Sequence, residues 1–60
     1  MNETKILQNI YSAVYQDKAL NRHRIDFKAS GWQEAIINAI SLTKAGEKLI
    51  MIEFVREAYL

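Results

Sequence analysis

The chain has sixty residues, no cysteine, one histidine and a formal net charge of +1, which excludes disulfides, thiolate metal sites and multi-histidine centres. A chain this short buries only about 60% of the surface its unfolded form exposes, so with those staples absent, association is the support that remains. A hydrophobic content of 50% argues for one folded domain over residues 1–60 rather than for disorder.

The chain opens Met1-Asn2-Glu3-Thr4-Lys5, without the basic region and apolar core of a secretory leader. Its longest apolar run, 49–52, falls far below the roughly 20 residues that span a bilayer. A cytoplasmic setting is therefore expected, and the lack of cysteine agrees with it. The N-terminal stretch reads in two ways. Leu7, Ile10, Tyr11 and Val14 have helical spacing, while 10–15 is strand-like in composition. Residues 17–21 can then turn the chain back as a five-residue hairpin loop.

Residues 22–29 alternate. Ile25, Phe27 and Ala29 fall on one parity and Arg24, Asp26 and Lys28 on the other, the pattern of a half-buried strand. A strand needs a neighbour, and the segment just before it is the nearest available. That favours a strand at 10–15 over a helix at 3–16. This stretch also carries the one localised charge, with Arg22, Arg24 and Lys28 against Asp26 alone.

Residues 30–44 predict a helix. Ser30 is a suitable N-cap with Gln33 three positions on, as in a capping box. Trp32, Ala35, Ile36, Ala39 and Ile40 follow at helical spacing and form the expected core face, with Trp32 expected inside. Gly46 stands where a helix terminator belongs. After it, periodicity is ambiguous. As a strand, Ile50, Ile52 and Phe54 share one face, and Leu49, Met51 and Val55 nearly fill the other. As a helix, Met51, Phe54, Val55 and Ala58 face inward. The β-branched and aromatic residues at 50–55 favour the strand. The expected fold is α+β, a small three-stranded antiparallel-type sheet with one helix in the order strand-strand-helix-strand. The alternative is an N-terminal helix followed by strand-helix-helix.

One helix covers one face of such a sheet, and a C-terminal strand apolar on both faces leaves the other exposed. Leu49, Met51 and Val55 are thus candidate partner-binding residues, with Tyr11 and Tyr15 as possible aromatic anchors. The expected partner is a protein or a second copy of the chain, and no membrane. For catalysis the chain offers little. His23 is the sole histidine available as a base, and Ser12, Ser30 and Ser41 sit in no nucleophile-elbow pattern. Asp17, Asp26 and Glu53 form no calcium-loop pattern, two isolated glycines build no phosphate cradle, and no cofactor is expected. A non-enzymatic inhibitor, adaptor or regulatory subunit follows, of a size and composition common among phage- and plasmid-encoded modulators.

The nucleic-acid alternative rests on Arg22, Arg24 and Lys28, which could grip phosphates from one strand face. A strand with outward Arg24, Asp26 and Lys28, a helix, Gly46, and an apolar segment ending Val55-Arg56-Glu57-Ala58-Tyr59-Leu60 resembles the ribbon-helix-helix DNA-binding proteins over residues 24–60. That resemblance implies a dimeric DNA-binding transcriptional regulator whose last segment is a helix. The chain departs from the family in the more than twenty residues before the strand. It departs again at Gly46-Glu47-Lys48, which lacks hydroxyl residues and puts an acid where phosphate would sit.

Overall fold

A computed structural model of the chain describes residues 7–59, with side chains through residue 58. The elements are β1 (Leu7–Asp17), β2 (Arg22–Ala29), α1 (Trp32–Ser41) and β3 (Glu47–Tyr59). This is the α+β order strand-strand-helix-strand expected from the sequence. The helical alternative for the N-terminal stretch does not hold over 7–16; its residues 3–6, like Leu60, lie outside the described residues. The second helix that the ribbon-helix-helix resemblance requires is overturned, because 47–59 is one continuous strand. The β-branched and aromatic residues at 50–55 find a long partner strand, and that outweighs their partial helical spacing.

The sheet order is β2-β1-β3, with both pairings antiparallel. The first strand in the chain is therefore the central one. β2 and β3 run parallel to each other on its two sides, and α1 carries the chain between them across the sheet. β1 is suited to the centre because Tyr11, Ser12, Ala13 and Tyr15 are all buried.

The β1–β2 hairpin is set by Asp17. Its carboxylate Oδ1 accepts from the backbone N–H of Ala19 and of Asn21, both at 2.9 Å. Its backbone closes the turn with Asn21 O and Leu20 N at 3.0 Å each. An Asp that mimics a backbone turn in this way needs no proline or glycine. From there Gln16 pairs with Arg22 and the register runs to Asn9 opposite Ala29.

β1 and β3 pair from Leu7–Tyr59 to Asp17–Glu47, with two register shifts. Val14 opposes Met51 and Tyr15 opposes Leu49, so Ile50 is an extra residue in β3. Ile10 opposes Arg56 and Tyr11 opposes Phe54, so Val55 is a second. Each bulge resets the alternation of β3 by one residue. Leu49, Ile52 and Phe54 consequently lie in register with Tyr15, Ala13 and Tyr11, on the face that α1 covers. Strict alternation would have put Leu49 with Met51 and Val55, and it does not survive the first bulge.

The helix is shorter than the sequence suggests. It starts at Trp32 with Gly31 as an extended N-cap, and no side chain caps it. Ser30 instead donates its backbone N–H to Glu34 Oε1 at 2.6 Å, so Glu34 rather than Gln33 is the residue that reaches back. The helix ends at Leu42, where the backbone N–H bonds Asn38 O. Gly46, at φ +82°, serves the turn into β3 rather than the helix end.

The core sits between α1 and the covered sheet face. Tyr11, Ala29 and Ala35 form one cluster with Phe27 and Ile52 against it. Ala13, Tyr15 and Ala39 form the other, with Ile25, Phe27, Leu49 and Ile52. The helix contributes only Ala35 and Ala39 as buried residues. Trp32, Ile36 and Ile40, expected on the core face, are exposed. Small residues one turn apart let the helix backbone approach the sheet closely, and its larger neighbours are displaced to the flanks.

Candidate interaction surfaces

The outer surface of α1 carries an apolar row beside the exposed Gln33, Glu34 and Ser41. Trp32 is 50% exposed, Ile37 61% and Ile40 60%, with Ile36 and the C-cap residue Leu42 also open. Trp32, Ile36 and Ile40 recur every fourth residue, so they stack along one side of the helix. The row continues onto the sheet. Trp32 and Phe54 each set a ring edge against Tyr11, with centroids 4.9 and 5.8 Å apart. Tyr11 itself is covered, but the two rings that cover it are each about half exposed. This places the protein-partner candidates differently from the sequence reading. Tyr11 and Tyr15 spend their surface inside the chain, so neither presents an anchor to a partner. Leu49 packs against the Tyr15–Ala39 cluster. Met51 is exposed on the opposite face, and Val55 is exposed at a bulge. The three do not form one patch.

The open sheet face is polar at its rims. Residues in register across β1 share a face. Arg22, Gln16 and Lys48 make one row, and Arg24, Val14 and Met51 the next. Asp26, Ser12 and Glu53 follow, then Lys28, Ile10 and Arg56. Arg22 Nε donates to Gln16 Oε1 at 2.8 Å, and Arg24 Nη2 meets Glu53 Oε1 at 3.6 Å across the central strand. Ser12 is buried beneath these long side chains, and its Oγ has no partner among the described residues. The three bases expected together, Arg22, Arg24 and Lys28, do share this face.

A polar corner closes the hairpin end of the covered face. His23 stacks on Tyr15, with ring centroids 5.3 Å apart, and its Nδ1 lies 3.2 Å from Glu47 Oε2. The Tyr15 hydroxyl donates to the Ala39 carbonyl, tying β1 to α1. Burial, and secondarily the Glu47 carboxylate, hold the Tyr15 phenol above its ordinary value. His23 thus has a phenol and a carboxylate as neighbours. Of the serines, Ser41 Oγ bonds Ile37 O and Ser12 lies on the other face of the sheet. Among the described residues no three His, Asp or Glu side chains converge as a metal site would require.

Two features escaped the sequence reading. Ile36 and Ile40, expected on the core face, are open, and the pair Ala35 and Ala39, four apart, is the signal of a close helix contact centred on small residues. Glu53 joins Lys48 and Arg56 on the basic strand face only because the two bulges shift the alternation between them, and no residue type in β3 announces those bulges. No helix among the described residues is long and apolar enough to cross a membrane. In comparisons with known proteins, no family model, no curated protein and no solved structure matches the chain.

Proposed function

We propose that this chain is a non-enzymatic protein-association module that acts by stoichiometric binding, as an inhibitor, adaptor or regulatory subunit does. The observation that carries this reading is the inversion of side-chain size on α1. Its alanines face the sheet, while Trp32, Ile36, Ile37 and Ile40 face outward. With Leu42 and Phe54, these half-exposed side chains present roughly 500–600 Å² of apolar surface, at the upper end of the largest patches on ordinary monomers. Two such patches face to face would bury about 1,000–1,200 Å², the lower bound of specific interfaces. A second copy of the chain is thus a sufficient partner, and a small regulator of phage or plasmid type is a setting that suits such a module.

Light scattering on the purified chain tests the reading. The expected result is a dimer whose mass falls to that of the monomer in the double variant Ile37→Glu, Ile40→Glu, with the circular dichroism unchanged. A wild-type chain that stays strictly monomeric at millimolar concentration would sink the proposal. So would a double variant that unfolds, because those residues would then be supporting the monomer itself.

A further inference from the structure

We infer that the open face of the sheet is a docking surface for duplex DNA, gripped through its phosphates, on the side of the molecule away from the apolar helix. The inference does not depend on the association reading, and either can fail alone. It begins with where the register puts charge. Five of the eight bases of the chain, Arg22, Arg24, Lys28, Lys48 and Arg56, lie on this face with two acids, Asp26 and Glu53, giving it a net +3. The remainder of the chain holds three bases and five acids, so a molecule of net charge +1 is divided into a basic face and an acidic remainder. All five bases are exposed.

Their arrangement is as specific as their number. Arg22 and Lys48 flank Gln16 in one row, and Lys28 and Arg56 flank Ile10 in another. The two rows are six residues apart on β2, about 20 Å along the strands, and the outer strands are about 10 Å apart. The major groove of B-DNA is about 12 Å wide and admits a β-ribbon. With the strands lying across the groove, the basic pair at each end of this face is directed to one phosphate wall. The acidic row of Asp26 and Glu53 lies between the basic pairs, over the groove floor rather than the phosphates. Carboxylates there can accept from the amino group of cytosine. The Arg24–Glu53 pair is solvent-exposed, and an ion pair of that kind opens at little cost.

The face also argues against other nucleic acids. The twelve residues of its four rows include no aromatic side chain, whereas sequence-tolerant binding of single strands relies on aromatic stacking platforms. The deep, narrow major groove of duplex RNA would not admit the sheet.

The test is fluorescence anisotropy of the full chain with a short labelled DNA duplex over a range of salt concentrations. Four phosphate contacts predict a log–log salt slope of about −4. Arg22→Ala and Lys48→Ala should each reduce that slope by about one. Lys18→Ala and Lys44→Ala, which remove bases outside the face, should leave it unchanged, and Glu53→Gln should tighten binding several-fold. Circular dichroism on each variant separates lost binding from lost folding. Absence of duplex binding at low salt would overturn the inference. Equal losses from the Lys18 and Lys44 variants would overturn it too, as would tighter binding of single-stranded DNA or duplex RNA than of duplex DNA.

Discussion

Tyr15 joins three parts of the molecule. Its ring lies against His23 of β2, its hydroxyl bonds the carbonyl of Ala39 on α1, and its backbone pairs with β3 at Leu49. Because the phenol is held above its ordinary value of about 10, the folded state keeps that proton more tightly than the unfolded chain does. The associated stability is fully present below about pH 10 and is lost as pH rises through the folded value. Tyr15→Phe should cost about 1 kcal/mol at neutral pH through loss of this buried hydrogen bond, although the Ala39 carbonyl keeps the Thr43 hydroxyl as a donor. The same substitution should flatten the alkaline fall in stability, and denaturant titrations at a series of pH values will show whether the two slopes differ. Leu20 presents the opposite case. It is 72% exposed at φ 71°, a left-handed conformation with little side-chain burial to offset it. Leu20→Gly should stabilise the hairpin by about 0.5–1 kcal/mol through relief of that strain, read as a rise in the thermal midpoint. The turn itself was legible, because 17–21 is a loop of ordinary hairpin length just before the alternating strand at 22–29. The left-handed residue was not, since leucine is among the last residues chosen for that conformation.

At the scale of elements, α1 and β3 differ in what their sequences disclose. The existence of α1 follows from its periodicity, but which part of its apolar stripe meets the sheet does not. Five apolar positions offered themselves as a core face, and the sheet accepted two alanines. That choice depends on Ala13 and Ala29 beneath the helix, which allow close approach, and on a ten-residue helix spanning only about 15 Å. Ala39→Leu should therefore lift α1 off the sheet and cost about 1–3 kcal/mol by overpacking. Ile40→Leu on the outer side should leave stability unchanged, and the two chemical denaturation curves compared will decide. For β3, β-branched and aromatic enrichment was enough to identify a strand. Its faces were not legible, because they depend on two inserted residues, Ile50 and Val55, that look like any others in an apolar run. This is why Leu49, Met51 and Val55 scatter to three environments instead of forming one patch.

At the scale of the whole molecule, charge and apolar surface are placed on opposite sides. The covered face of the sheet carries the helix with its outward isoleucines, and the open face carries the bases. Half of this pattern was visible in the alternation of β2, where Arg22, Arg24 and Lys28 keep a single parity. The other half needed the strand order, and a sequence in which the first strand ends at the centre gives no local hint of it. That same strand order has a consequence for synthesis. β1 is made first, yet its pairing with β3 joins positions as distant as Leu7 and Tyr59. Until residues 47–59 have been made, the only part of the sheet a nascent chain can form is the β1–β2 hairpin, with the other edge of β1 bare and ready to pair with any extended neighbour. The interval between translating the hairpin and completing the sheet is therefore the period in which this protein is most exposed to misassembly.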